Sequence, residues 1–408
     1  MCFCTAPYPQ KATMKRINPV KSGDSSVYGD FKTNIAIVGT GPSGIYCTLQ
    51  LVEEFKNTGQ NNYQITLFDP LDTLTTILPT GNGRCNLAYA EDDFKKFAAF
   101  YPRGEKFLYS IFSRYSTSET LAYFDSIGIK TYEQQDRRIF PVSNSAKNIR
   151  AQMIREIKKS KNIKIIKKCI KNKEELRQFN VVVLATGSKD RYELAKQFGH
   201  TVIPFKPALC GLKVKEITPQ FPTGVSIDTK EGGIIFTHQG ISGPAIFKIS
   251  SINVNKEFPY EIKIPIINKD TVLDLLHKCP KKSFLNVVSS LIPRALAQYV
   301  FERYNIDGVQ QACHAAKAEI ETLENLTFTI VSTDGKGEIV HAGGVLLDEI
   351  DKNCKSKIAN GLWIIGESLN IDGFCGGFNL QNCWSTGAIA AQDITKTALN
   401  QGLSCFNE

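Results

Sequence analysis

Ile35-Ala36-Ile37-Val38-Gly39-Thr40-Gly41-Pro42-Ser43-Gly44 sets an apolar run directly against a GxGxxG turn. Ile45, Leu49, Val52 and Phe55 follow at helical spacing, so the glycines fall between a strand and a helix. The first glycine permits the tight turn, the second lets the backbone approach a pyrophosphate, and the third lets helix and strand pack closely. Pro42 and Ser43 open a helix whose free N–H groups face the anion. A second strand, Gln64-Ile65-Thr66-Leu67-Phe68, ends in Asp69, where an acid meets the adenosine ribose hydroxyls. An α/β dinucleotide-binding unit is expected.

At 408 residues the chain is too long for one ordinary core, and an apolar content of 42% marks a globular protein. No apolar run reaches the roughly 18 residues of a membrane span. The net charge of +9 suits an anionic partner or a solvated surface. Twelve cysteines lack a CxxC pair and zinc spacing, which reads as cytoplasmic thiols with no metal site. Residues 1–32 are basic, carry Cys2 and Cys4, and have no acid before Asp24. They read as a disordered leader, with an organellar transit peptide as the alternative.

Further along, Gly81-Asn82-Gly83-Arg84-Cys85-Asn86 presents a cation, a thiol and an amide on a flexible backbone, which suits a loop lying along a phosphate-bearing cofactor. Cys85 is either a small buried residue or a group near the reacting centre. Residues 105–130 read as packing helices, and Arg137–Ser143 as a basic segment bordering the cofactor or the substrate entrance. From Arg150 to Lys173 there are ten Lys or Arg against Glu156 alone, which is a solvated face or a nucleic-acid-facing patch. Val181-Val182-Val183-Leu184-Ala185-Thr186-Gly187 reads as a strand buried on both faces, closing in a turn that admits a ligand.

Near His200 the chain turns proline-rich with short β pieces, which suggests a separate domain. His238 lies in Thr237-His238-Gln239-Gly240-Ile241-Ser242-Gly243-Pro244 and is either structural or part of a site. Residues 269–325 are helical. Nucleotide-fold character returns at Gly361–Glu367, and Gly376-Gly377 opens a last helix. Facing a flavin, that helix end would stabilise negative charge on the pyrimidine edge of the reduced ring.

Four stretches together resemble the BaiN/YhiN-type family of NAD(P)/FAD-dependent flavoproteins: Gly39–Gly44, Gly83–Asn86, Phe236–Pro244, and Gly366–Gln381 preceded by Ala342-Gly343-Gly344-Val345. The likeness runs from about residue 33 to 395. It implies an α/β Rossmann-like FAD-binding domain (33–200 and 345–400) with an inserted β-barrel domain (201–268 and 326–344). The barrel would itself carry a small helical insertion (269–325). It also implies pyrophosphate at Gly39, Gly41 and Gly44, with Pro42 and Ser43 in the same turn, and ribose at Asp69. Gly83, Arg84, Cys85, Asn86, Thr186 and Gly187 would lie beside the cofactor. Gly366, Glu367, Asp372, Gly376, Gly377, Phe378 and Asn379 would hold the ribityl chain and ring. The chain departs from the family in having Asn370 for an aspartate, and in running from Gly187-Ser188-Lys189-Asp190 straight into Tyr192-Glu193-Leu194 without a Tyr/Pro/Thr/Gly-rich loop.

The resemblance implies an FAD-dependent oxidoreductase using NAD(P)H to reduce a C=C bond, with uridine to dihydrouridine in ribosomal RNA as the leading activity. A hydride would reach C6 of uracil and a protein acid would protonate C5, with Cys85 and His238 as candidate acids. Residues 150–173 would contact the ribosomal RNA. The alternatives are a small-molecule reductase or oxidase acting on an unsaturated ketone or an amine, and a non-catalytic FAD-binding interaction protein. No second GxGxxG stands at a strand-helix junction, so NAD(P)H would dock transiently.

Overall fold

The computed structural model describes residues 33–188, 193–315, 317–335 and 340–400; residues 1–32, with Cys2 and Cys4, and residues 189–192 lie outside them. Its central element is a parallel sheet of β1 (Thr33–Val38), β2 (Tyr63–Phe68), β3 (Ile163–Ile166), β4 (Val181–Leu184) and β5 (Leu362–Ile364), in the order β5-β4-β1-β2-β3. Val38 lies level with Phe68 on one side and with Leu184 on the other. The order reverses direction around β1, so a crevice opens at the carboxyl ends of β1 and β4, the position at which open α/β sheets bind ligands. Ile35, Ile37, Val181, Val182 and Val183 are fully buried, as a strand covered on both faces requires.

Helix α1 (Pro42–Asn57) follows β1, and α3 (Phe378–Asn400) ends the described chain. They pack closely because residue 387 is glycine: a Cβ there would stand 3.0 Å from Ser43 O and 3.2 Å from Cys47 N. Tyr46 and Trp384 pack 5.1 Å apart between them. The two chain ends thereby build one core, running from Ile35 to Phe198 and from Val345 to Ala398. Basic helix α2 (Ala146–Lys159) leads into β3, the outer strand.

The intervening chain has its own core, from Leu212 to Ile330. A six-stranded antiparallel sheet runs in the order Ser226–Thr229, Gly232–Thr237, Gly240–Ser242, Leu212–Val214, Asn325–Thr333, Tyr260–Pro265. Tyr260–Pro265 alternates strictly, with Ile262 and Ile264 inward and Glu261 and Lys263 outward, as expected of a sheet wet on one face. The barrel expected from the resemblance is not confirmed: among the described residues no ladder joins the two outer strands of this sheet. Val272, Phe284, Leu296 and Leu323 share one core with Ile262 and Phe328, so the helices form a layer against the sheet. Strands Val202–Ala208 and Val340–Val345 pair as a separate ribbon. Among the described residues no helix is long and apolar enough to cross a membrane.

Candidate cofactor site

Each glycine of the first turn answers a different constraint. A Cβ at Gly39 (φ +115°) would stand 2.1 Å from Ala185 O, and one at Gly44 would stand 2.0 Å from Gly39 O, so both are required by the protein's own packing. A Cβ at Gly41 would meet nothing nearer than Thr76 Oγ1 at 3.8 Å. Gly41 is also the N-cap of α1, no side chain caps that helix, and Pro42 occupies its first turn. The bare N–H groups of α1 therefore face space that an anion can occupy. Asp69 follows β2, and its carboxylate is bound to the backbone of the glycine turn. Oδ2 accepts from Thr40 N (2.8 Å) and Thr40 Oγ1 (3.2 Å), and Oδ1 accepts from Leu71 N (3.0 Å). In this structure Asp69 holds the shape of the glycine turn.

Beyond the sheet edge, Val38, Phe68, Pro70, Lys168, Ile170 and Thr186 line a narrow recess at the carboxyl ends of β1 and β2. Across from it, Thr186 Oγ1 and Gly187 N each lie 3.1 Å from Ser368 Oγ, which joins the turn after β4 to the segment after β5. A Cβ at Gly187 would meet no atom within 4 Å. Gly366 (φ +62°) is forced by Ser43, whose Oγ would stand 2.6 Å from a Cβ there. The turns at Gly39–Gly44, Thr186–Gly187 and Gly366–Ser368 are thus neighbours around one opening.

Glu367 is half-buried beside that opening. Burial and the nearby Asp372 charge push its carboxyl up to about 7, against a hydrogen bond with Ser188 that lowers it. It can hold or release a proton near neutrality.

The loop at 81–86 is wound tightly, with Gly81, Asn82, Gly83 and Cys85 all at positive φ. Asn86 is its anchor: its amide donates to Ala88 O (3.1 Å) and Ile139 O (3.3 Å), and its oxygen accepts from Gly377 N (3.1 Å). Gly377 (φ +93°) comes so close that a Cβ would stand 2.6 Å from Ala88 O. Loop and turn are locked together at the start of α3. Arg84 lies on the same loop, stacked on Phe140.

Several expected site residues prove to be structural. Cys85 is fully buried, and burial pushes its thiol up to about 12 despite a hydrogen bond with Thr80, so it faces the core and not a substrate. His238 sits exposed at the tip of the hairpin between Gly232–Thr237 and Gly240–Ser242, and does not join Cys85 in one constellation. Phe378 is core, stacked on Phe100 at 4.5 Å and flanked by Tyr89 and Phe97. Asn379 is spent on Gly373, whose N and O it binds at 2.8 Å each. Asp372 is fully buried and makes a bidentate ion pair with Arg103, so it is not free to hold a ribityl chain. Arg103 also reaches Ser251 O (3.0 Å) and Ser251 Oγ (2.8 Å) on helix Pro244–Ile252. Arg103, Asp372 and Ser251 thus form a buried polar joint between the two cores. Nothing local in Tyr101-Pro102-Arg103-Gly104 signals that role, because its partners lie at least 148 positions away.

Elsewhere, His200 Nδ1 lies 2.9 Å from Glu349 Oε2 and its Nε2 lies 2.8 Å from Ser356 Oγ. The connectivity is that of an acid–base–nucleophile array. The ring is fully buried, however, and Ser356 Oγ already accepts from Ile358 N (3.0 Å) and Ala359 N (2.8 Å), so the array serves as a tie between loops.

The basic stretch lies along α2 and the outer strand β3. Arg150, Lys159, Lys167 and Lys168 have partners at Thr73 O, Glu156, Asp72 and Glu175. Lys158, Lys161, Lys164 and Lys171 are exposed and have no acidic partner among the described residues. The stretch borders the narrow recess through Lys168.

A parallel sheet with glycine turns at its carboxyl ends, and an uncapped helix aimed at open space, define a dinucleotide-cofactor protein of Rossmann type. A family model described as the HI0933-like protein Rossmann domain matches residues 33–393. The chain belongs to that family and is a flavin-dependent oxidoreductase, in line with the resemblance seen in its motifs. It is 27% identical to the 3-dehydro-bile acid delta(4,6)-reductase of Clostridium scindens, over 88% of this chain and 98% of that protein. It is 25% identical to the ribosomal RNA dihydrouridine synthase of Haemophilus influenzae, over the same shares of the two chains. Among solved structures, the open conformation of a flavocytochrome c3 fumarate reductase aligns with a TM-score of 0.46 at 13% identity, over 92% of this chain and 80% of that one.

Proposed function

We propose that the chain binds FAD between the Gly39–Gly44 turn and the Gly366–Gly377 segment and, with electrons from NAD(P)H, reduces a carbon–carbon double bond, that of uridine in ribosomal RNA. The observation that carries the reading is the free space at Gly41 before the uncapped start of α1, flanked by the recess at Val38 and Phe68. Bound there, FAD supplies two-electron redox chemistry. The chain's own work is to place it. The α1 N–H groups would take the pyrophosphate. Glu367 offers either protonation state to a ribityl hydroxyl. The start of α3, locked by Asn86, would face the pyrimidine edge of the ring with its positive dipole end.

Uridine in ribosomal RNA as substrate is supported by the name of the Haemophilus relative, a ribosomal RNA dihydrouridine synthase, and by the exposed lysines along α2 and β3 that have no acidic partner among the described residues, which would contact phosphates in the cytoplasm. The Clostridium relative supports a second reading of the same chemistry, reduction of a C=C bond in a small molecule. Two measurements test the proposal. The purified protein should show a visible flavin band, and ribosomal RNA from a strain lacking the gene should lose dihydrouridine by mass spectrometry. Unchanged dihydrouridine, with NADPH turnover stimulated by a small unsaturated ketone, would select the second reading.

A further inference from the structure

Two guanidinium groups share one aromatic ring where the 81–86 loop crosses the Gly373–Gly377 turn. The Arg84 guanidinium carbon lies 4.3 Å from the Phe140 ring centre and that of Arg138 lies 5.7 Å from it. Phe140 is fully buried, so the platform is rigid. The ring quadrupole attracts both cations, and a stacked guanidinium has less side-chain freedom to lose when it binds an anion.

Their charges are not balanced. Arg84 donates Nε to Gly81 O (3.3 Å) and has no carboxylate partner among the described residues. Among the described residues the rest of its fork is unspent. Arg138 pairs with Asp136 at 2.6 Å, but the two side chains are 40% and 51% exposed. Pairs so exposed contribute about 0–1 kcal/mol, so Arg138 can turn to a better anion.

The pair also stands beside the turn that opens α3. Desolvation pushes the Cys375 thiol up to about 11, and the Arg138 charge draws it back. Lys248 of helix Pro244–Ile252 holds its Nζ 5.7 Å from the Phe374 ring centre, but its charge is paired with Glu231.

We propose that Arg84 and Arg138, mounted on Phe140, form an oxyanion subsite for a charged group of the molecule being reduced: a phosphate of a uridine nucleotide or the carboxylate of an unsaturated acid. Both anions match the bidentate arginine fork. The assignment rests on the reading that a flavin ring lies against Gly376–Gly377, since only then does the subsite border the reacting centre.

The test titrates flavin-loaded protein with uridine 5′-monophosphate against uridine, and with cinnamate against cinnamamide, following the visible flavin band. Wild type is expected to bind one anion at least about ten-fold more tightly than its neutral counterpart. R84Q and R138Q are expected to keep their flavin and lose that preference. A preference confined to the nucleotide identifies a phosphate, and one confined to cinnamate identifies a carboxylate. No preference in wild type, or one that survives in R84Q and R138Q, overturns the subsite. So does an R84Q protein that sheds flavin while R138Q keeps both flavin and anion binding, since Arg84 would then serve the cofactor. A second readout needs no flavin: inorganic phosphate should raise the melting temperature of wild type and not of the double variant. Wild type that takes up no FAD defeats the flavin reading and with it the subsite's place beside a reacting centre, and the phosphate shift then decides only whether the two arginines bind an oxyanion.

Discussion

Glu367→Gln removes a carboxyl that the fold keeps protonated up to near neutral pH. The ordinary value for glutamate is 4.5, and burial with the Asp372 charge nearby raises it to about 7. At about 1.4 kcal/mol per pH unit, the folded protein loses up to about 3 kcal/mol once the carboxyl must ionise. The sign follows from proton binding. Between those two values the folded state holds the proton and the unfolded chain has released it, so stability falls as pH rises through that window. Below 4.5 both states are protonated and nothing is lost, while above about 7 the loss is complete. Glutamine cannot ionise. E367Q should therefore differ from wild type by a constant at about pH 4, and gain on it by up to about 3 kcal/mol by about pH 8. Urea unfolding of the flavin-free proteins across that range measures the difference directly. A gap that does not change with pH, or one that moves in favour of wild type as pH rises, refutes the reasoning.

The glycine turn divides into structural and ligand-facing positions. G44A should lower stability by several kcal/mol through its collision with Gly39 O, whereas G41A should melt near wild type and retain less flavin, as read by thermal scans and visible absorbance. Arg103→Ala strands the fully buried Asp372 carboxylate and should cost about 3–5 kcal/mol in denaturant unfolding; R103A/D372N should recover part of that loss. Cys85→Ala should leave the pH dependence of turnover unchanged and cost about 1–2 kcal/mol of stability, since its thiol is interior; loss of turnover in a folded C85A protein would contradict its assignment to the core.

The chain's linear pattern was enough to determine the nucleotide fold. Ile35–Val38 and Val181–Leu184 are apolar without alternation because a parallel strand buried on both faces has no wet side, and a GxGxxG turn after such a strand has few other uses. The glycines were legible for the same local reason: the close approaches at Gly39, Gly44 and Gly366 leave no room for a Cβ. Side-chain roles were not legible, because residue type does not state direction. Cys85 and Phe378 stand in motif positions and point into the core; Asp69 and Asp372 carry the expected charge, turned onto Thr40 and Arg103. Tertiary structure alone decided the strand order of the six-stranded sheet, since pairing depends on whether two distant strands meet. It likewise decided that Arg84 and Arg138, 54 positions apart, share Phe140, because only the fold brings the 81–86 loop across that ring.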